Sequence, residues 1–256
     1  PNRVDPYQPA GDLFLSFPHE DVDDYRRELD LGAGMVTVSY VAEGGEHVRQ
    51  VFVHASLPVI CLRQSCSNSG GLDVRVALDR IEDPDCQPEG SASPDELCLV
   101  GRFPEGPQFC VLSRLILQGG SVKPRSGSAS ADVKGAAELL VLTTIGVTHD
   151  GEDPVAVARA QLEGVPTDWT TLCSDHAVGH MELYGRVSLE LGGEDNRPTD
   201  ERLDALKAGR ADAGLMALYF NFGRYLLITS SRPEGARGAS AAEWSGRLPA
   251  NLQGKW

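Results

Sequence analysis

The residues best suited to binding chemistry lie at the end of the chain. The segment Leu248–Trp256 contains Asn251, Gln253 and Trp256, which offer amide donors and acceptors and one aromatic face. Such groups suit the hydroxyls and the apolar face of a pyranose ring, so we interpret these three residues as candidate substrate-binding groups. The alternative is structural: the two amides cap a helix end and the indole ring lies in the core.

A second candidate for chemistry is a pair of histidines. His176 and His180 are four residues apart, so on a helix both imidazoles could bind one metal ion, with Asp175 and Glu182 close in sequence. The zinc protease pattern needs Glu directly after the first His, whereas position 177 is Ala. We therefore favour a structural role, in which the two rings pack against the sheet or bond the backbone, and we predict no metal and no cofactor.

Other patterns add no catalytic candidate. The acidic run Glu20–Asp24 lacks the ligand spacing and central Gly of a calcium loop and is interpreted as a solvated turn. Gly32–Gly34 lacks the third Gly and the following helix of a dinucleotide loop, so it is also interpreted as a turn. No Ser lies in a G-x-S-x-G elbow. The six cysteines have no C-x-x-C spacing and are interpreted as buried or incidental free thiols.

Charge and hydropathy exclude two classes of partner. The 37 acidic and 23 basic residues give a net charge of −14, which would repel a phosphate backbone, so nucleic acid is not expected as a partner. No stretch approaches the ~20 consecutive apolar residues that span a bilayer, so no membrane partner is expected either. The first residue, Pro1, looks internal to a longer chain, and the location of the protein stays unassigned.

Short alternating segments dominate the first part of the chain. Gly, Pro, Asn and Ser clusters separate most of them, which is typical of an antiparallel sandwich rather than of strand–helix–strand units. We predict a β-sandwich domain over residues 1–148 and interpret Asp83–Pro94 and Ser121–Gly135 as surface excursions. The predicted strands are Leu13–Phe17, Met35–Tyr40, Val48–Val53, Val59–Arg63, Leu72–Leu78, Leu112–Leu117 and Leu139–Thr144.

The hydrophobic period changes to that of helices after Gly146. We expect helices that begin at Asp153-Pro154, at Thr167, at Thr199 and at Asp212. Apolar residues of the last helix recur every three or four positions and need partners that this chain does not supply. We therefore expect an exposed apolar patch on that helix, formed by Leu215, Leu218, Phe222 and Leu226.

Several motifs, in order, resemble those of the inverting α-L-fucosidases of glycoside hydrolase family 95. The segments Leu248–Trp256 and Phe222–Pro233 resemble the family's L-P-A-N-L-Q-G-I-W and F-G-R-Y-L-L-I-x-S-S-R-P-G, and these two likenesses are quite specific. Further likenesses support them; they lie at Tyr7–Leu13, Tyr25–Leu31, Val48–Val53 and His176–Val187.

The resemblance implies a mainly β fold with helices: an N-terminal super-β-sandwich, a helical linker over residues 149–210, and the first helix of a truncated (α/α)6 barrel over residues 211–256. It also implies a fucosylated glycan or oligosaccharide as the substrate of the intact protein. The family's catalytic residues follow the motif that ends at Trp256, so no catalytic residue is expected here and the fragment should be inactive.

Two features leave the function open at this point. Residues 234–246 look like an insertion between two family motifs, and Ala10 stands where the family has Leu. The insertion lies near the expected site and bears on substrate preference. The alternative function is a non-catalytic carbohydrate-binding or scaffolding β-sandwich module.

Overall fold

A computed structural model describes residues 8–231 except 105, 150 and 194. Within this part of the chain there are two antiparallel sheets followed by helices, which confirms the predicted sandwich and the mainly β fold. The strands are β1 Asp12–Ser16, β2 Asp23–Asp30, β3 Met35–Ala42, β4 Gly45–Val53, β5 Ile60–Cys66, β6 Leu72–Asp79, β7 Glu89–Ala92, β8 Glu96–Arg102, β9 Gln108–Gln118, β10 Ser121–Pro124, β11 Ser130–Ala136 and β12 Glu138–Thr148. The helices are α1 Pro154–Leu162, α2 Trp169–Tyr184, α3 Thr199–Lys207 and α4 Ala213–Ser230.

The two sheets differ in size. The smaller sheet has four strands in the order β1-β6-β11-β10, and the larger sheet has eight in the order β2-β3-β4-β5-β12-β9-β8-β7. The longest pairing joins β9 to β12, from Gln108 opposite Thr148 to Gln118 opposite Glu138. Because successive side chains point to opposite faces, this register assigns alternate residues of both strands to two different cores.

One core lies between the sheets and the other lies on the outer face of the larger sheet. The first combines β6 and β11 of the smaller sheet with strands of the larger one; Leu72, Val76, Val133 and Val141 are among its buried residues. The second core includes Leu112, Leu140 and Leu142 of the larger sheet together with Ala158, Leu162, Val165 and Leu172. The larger sheet is therefore covered on both faces by apolar side chains.

Helix α1 covers the outer face of the larger sheet directly after the last strand. Asp153 caps its N-terminus by accepting a hydrogen bond from the Val155 amide, and Pro154 occupies the first turn. Arg159 pairs with Glu96 of β8 at 2.7 Å, and Arg114 of β9 donates to the Leu162 carbonyl at 3.1 Å. The expected helix start at Asp153-Pro154 is thus confirmed, and two contacts of its C-terminal half fix the helix to the sheet.

The prediction of a surface excursion over Ser121–Gly135 was wrong. This segment contributes β10 and most of β11, and Ala131 and Val133 of β11 are fully buried. The small residues and the Gly–Ser content suggested a loop, whereas Ala129, Ala131 and Val133 follow the period of two that a half-buried strand requires. The excursion predicted over Asp83–Pro94 was also partly wrong, because it contains β7 and the buried Cys86.

Two further strands were not predicted, and one helix start was misplaced. Strand β2 is charged and almost wholly exposed at the edge of the larger sheet, so it carries no apolar alternation. Strand β8, which pairs with β9, was likewise missed. Helix α2 begins after Asp168, whose carboxylate accepts from the Thr171 amide, rather than at Thr167.

None of the described helices has the length and apolar character needed to cross a bilayer.

Candidate functional site

The predicted binding residues Asn251, Gln253 and Trp256 lie outside the described residues. The expected insertion at 234–246 also lies outside them. The described region that precedes them in sequence is the helical region α2 to α4. The contacts within this region determine where α4 begins and how it is held.

The N-terminus of α4 is fixed by a buried ion pair. Arg202 of α3 is 7% exposed, and its guanidinium donates to both carboxylate oxygens of Asp212, at 2.9 and 2.8 Å. Asp212 also caps α4 by accepting from the Leu215 amide at 2.8 Å. The Arg202 guanidinium and this amide hold the pKa of Asp212 below its usual value. The expected helix starts at Thr199 and Asp212 are confirmed.

The middle of α4 is held to the end of α2 by Arg224. Its guanidinium donates to the carbonyls of Tyr184, at 3.0 Å, and of Val187, and it lies 5.1 Å from the centre of the Tyr184 ring. The last carbonyls of a helix lack intrahelical partners and attract cations. One turn earlier, the Asn221 amide donates to the Leu189 carbonyl at 3.2 Å. These contacts join α4 to α2 and to the segment after it.

The two candidate metal ligands on α2 instead bond the backbone of the sandwich. His176 donates from Nε2 to the Ala33 carbonyl at 2.9 Å, and His180 donates from Nε2 to the Leu31 carbonyl at 2.8 Å. Both rings are at most 2% exposed. Since a carbonyl only accepts, the proton lies on Nε2 in both rings. The favoured structural role of the pair is confirmed, and the turn from Leu31 to Gly34 joins the sandwich to α2.

The described residues offer no group of three or more metal-binding side chains. Their carboxyl groups with a shifted pKa all have that pKa lowered, in each case by hydrogen bonds; these are Asp73, Asp83, Asp132, Asp168, Asp195 and Asp212. A general acid that works near neutral pH needs a raised pKa. These six carboxylates therefore serve in ion pairs and caps rather than in proton donation.

The exposed apolar face of α4 is not the face that the sequence predicted. Leu215 is only 6% exposed, and Leu218 and Leu226 are half-buried, so of the four predicted residues only Phe222 is exposed. The residues that are exposed are Met216 at 57%, Tyr219 at 79%, Phe220 at 43%, Phe222 at 38% and Leu227 at 60%. The side of α4 opposite Met216 faces α2, where the Tyr225 ring lies 6.1 Å from the ring of His180.

Sequence reasoning missed the two arginines that position α4. Arg202 lies in a charged helix and gave no signal, since exposed arginines are common there. Arg224 lies inside the motif Phe222–Ile228 and could have been singled out as the one charged residue in that apolar segment. Both act on carbonyls or carboxylates at helix ends.

Two family models match this chain in sequence order. The model described as "Glycosyl hydrolase family 65, N-terminal domain" matches residues 1–151. The model described as "Glycosyl hydrolase family 95 catalytic domain" matches residues 168–256, a range that begins at the cap of α2. The predicted limits of 1–148 for the sandwich, 149–210 for the linker and 211–256 for the start of the barrel stay predictions.

Curated relatives match nearly the whole chain but extend far beyond it. "Alpha-L-fucosidase 2" of Arabidopsis thaliana is 29% identical over 98% of this chain, which corresponds to 33% of the relative. "Probable alpha-fucosidase A" of Aspergillus niger is 24% identical over 98% of this chain and 32% of its own length. The chain therefore spans about a third of the length of these relatives. Among solved structures, a bacterial glucoamylase in complex with acarbose superposes on this chain with a TM-score of 0.45 and 10% sequence identity. The match covers 81% of this chain and 32% of the glucoamylase chain.

Proposed function

This chain belongs to the glycosyl hydrolase family 65 N-terminal domain family and continues into a family 95 catalytic domain segment, and from this premise we propose that it is the N-terminal part of an inverting α-L-fucosidase. The observation that carries the proposal is the alignment of 98% of the chain with an α-L-fucosidase. The substrate class of the intact protein is then an α-L-fucoside, or a related α-L-galactoside, in a glycan or oligosaccharide.

The exposed face of α4 supports a catalytic domain that continues past this chain. Met216, Tyr219, Phe220 and Leu227 form an apolar stripe that α2 and α3 leave uncovered. A helix within a helical barrel packs on more than one side. In the intact protein, further helices of the catalytic domain would cover this stripe, and α4 would be the first helix of the barrel.

Asn251, Gln253 and Trp256 are proposed as substrate-binding residues at the start of that barrel. Their amide groups suit sugar hydroxyls, and the indole ring suits the apolar face of the sugar. Inversion at the anomeric carbon needs two carboxyl groups about 6.5–9.5 Å apart, with a water molecule between the sugar and the base. We assign that pair to segments of the intact protein after Trp256, so residues 1–256 alone should not hydrolyse fucosides.

The test compares the intact protein, expressed from its complete coding sequence, with residues 1–256 alone. Each is assayed on an aryl α-L-fucoside, and NMR follows the anomer that is released first. We expect turnover with release of the β-anomer by the intact protein and none by residues 1–256. No turnover of either an α-L-fucoside or an α-L-galactoside by the intact protein would contradict the proposal and favour a carbohydrate-binding or scaffolding module.

A matched pair of variants tests the proposed binding residues in the intact protein. Gln253→Ala should raise KM at least several-fold, because a lost hydrogen bond to a sugar hydroxyl weakens binding. Gln108→Ala changes an amide of the sandwich strand β9 and should leave KM unchanged. Equal KM values for the two variants would remove Gln253 from the proposed site.

A further inference from the structure

Two cysteines of the larger sheet lie in direct contact. The sulfur atoms of Cys98 on β8 and Cys110 on β9 are 3.4 Å apart. Cys98 is 8% exposed and Cys110 is fully buried. The register places Cys98 opposite Leu112 and Cys110 opposite Val100, so the two cysteines are diagonal neighbours on one face of the sheet.

We propose that Cys98 and Cys110 form a reversible redox pair, which closes to a disulfide when the protein meets a disulfide oxidant such as oxidised glutathione. A disulfide needs its sulfur atoms about 2.05 Å apart, so closure requires rotation of both side chains and a small approach of β8 and β9. Diagonal neighbours start farther apart than directly opposed residues. The bond therefore forms under strain, and a strained disulfide is readily reduced again.

The geometry makes Cys98 the attacking group. It is the more exposed of the two thiols, and the contact between the two sulfur atoms lowers the pKa of Cys98 and raises the pKa of Cys110. The Cys98 thiolate attacks one sulfur of oxidised glutathione and displaces a glutathione thiolate. Cys110 then attacks the Cys98 sulfur of this mixed disulfide and displaces the second glutathione. The two thiol protons end on the two glutathione molecules, and the protein loses two electrons.

The pair lies under α1. Cys98 and Cys110 belong to the outer core with Ala158 and Leu162, and the Arg159–Glu96 ion pair joins α1 to β8 close by. Oxidised glutathione can reach Cys98 only when this cover opens locally, so closure should be slow in the native protein and faster in a low concentration of urea. A Cys98–Cys110 bond would link β8 to β9 under the helix that leads out of the sandwich.

The test maps disulfides in residues 1–256. The protein is purified in reductant, incubated with oxidised glutathione, denatured in iodoacetamide, digested without reductant and analysed by mass spectrometry. After oxidation, we expect the peptides that carry Cys98 and Cys110 to be joined to each other by a disulfide. After a second incubation with reduced glutathione, we expect both cysteines to be alkylated. The proposal would be overturned if both cysteines were alkylated after oxidation. It would also be overturned if they were joined only to glutathione or to other cysteines.

Variants identify the pair independently. Cys98→Ala and Cys110→Ala should each abolish the cross-link, whereas Cys86→Ala, which removes a different buried thiol, should retain it. If either of the first two variants does not fold, the map of the unaltered protein still decides. A cross-link in Cys98→Ala would show that other thiols react, and it would overturn the assignment.

Discussion

Gly34 allows the sandwich and α2 to approach each other. Its φ is +61°, and a Cβ atom there would lie 3.1 Å from His176 Nε2 and from the His180 ring. Gly44 has a similar φ of +74° but has open space where a Cβ would be. A side chain at Gly44 would therefore meet only the unfavourable backbone conformation. A side chain at Gly34 would also clash with the two histidines.

We expect Gly34→Ala to destabilise the protein more than Gly44→Ala. The left-handed backbone destabilises both variants by about 1–2 kcal/mol, and Gly34→Ala loses a further ~1–3 kcal/mol because the His176 and His180 rings have little room to move. Urea denaturation measures the free energy of unfolding of each variant. Equal losses would mean that the two rings are not held against the turn.

Arg202 should matter more to stability than its exposed neighbour Arg197. Arg202→Ala leaves Asp212 without the guanidinium that binds both its oxygens, and that guanidinium is buried. Arg197 also pairs with a carboxylate, that of Asp195, but its side chain is 42% exposed, and exposed pairs contribute little. We expect a clearly larger fall in Tm for Arg202→Ala than for Arg197→Ala, measured by calorimetry. A larger fall for Arg197→Ala would contradict the structure.

At the scale of elements, α4 has one buried side and one exposed side, and adjacent residues distinguish them. Leu215→Ala removes a side chain that is 6% exposed, so we expect a loss of about 2–5 kcal/mol in the free energy of unfolding. Met216→Ala changes a side chain that is 57% exposed and should cost less than ~0.5 kcal/mol. Denaturation of both variants measures the difference, and a costly Met216→Ala would mean that something covers that side.

Hydrogen exchange should separate α4 from the sandwich. The exposed stripe leaves α4 with few tertiary partners, whereas β12 is paired on both sides and lies between two cores. We expect the α4 amides to exchange faster than those of β12, because local opening of α4 breaks fewer contacts. Exchange in α4 as slow as in β12 would contradict this expectation.

The predictable elements are those whose apolar pattern reflects burial. Strands β3, β6 and β12 and the caps at Asp153 and Asp212 could be predicted because alternation and capping chemistry are local. Strand β2 could not, because an exposed edge strand needs no apolar face. Strands β10 and β11 were missed because several of the buried positions of β11 are occupied by alanine. Alanine marks a buried strand less clearly than valine does, although Ala131 and Val133 are equally buried. The exposed side of α4 could not be predicted, because the helix is held through contacts such as those of Arg224, whose partners Tyr184 and Val187 are 40 and 37 residues away.

At the scale of the whole molecule, carboxylates held by arginines make the fold sensitive to acid. Hydrogen bonds from Arg197 lower the pKa of Asp195 from 3.8 to about 2, and Arg202 lowers that of Asp212. A depressed pKa in the folded state stabilises the protein above the unfolded value, and this contribution is lost as the pH falls through the folded value. The loss is therefore expected mainly between pH 3.8 and about 2.

Denaturation at several pH values measures this loss. The free energy of unfolding should fall from pH 5 to pH 2, and Asp195→Asn should make that fall slightly shallower, because one titrating group is removed but its pair with Arg197 is exposed and contributes little. Glu20→Gln changes an exposed carboxylate and should leave the slope nearly unchanged. A slope in Asp195→Asn as steep as in the unaltered protein would exclude Asp195 from the acid response.

Of the candidate site, residue types and motifs could be predicted from the sequence, but geometry could not. Asn251, Gln253 and Trp256 were chosen for their chemistry, and their role stays a prediction. The structural role of His176 and His180 could be favoured because Ala177 excluded the zinc protease pattern. Their acceptors, the carbonyls of Leu31 and Ala33, are about 145 residues away, beyond what local patterns indicate.

The outer core of the larger sheet bears on how such a protein could be assembled in evolution. Leu112, Leu140 and Leu142 are buried by residues that follow the last strand, from Ala158 to Leu172. A gene fragment that ended with β12 would encode a sandwich with one bare apolar face. The product would associate through that face, so a recombined sandwich needs a cover for its larger sheet, which α1 and the start of α2 supply in this chain.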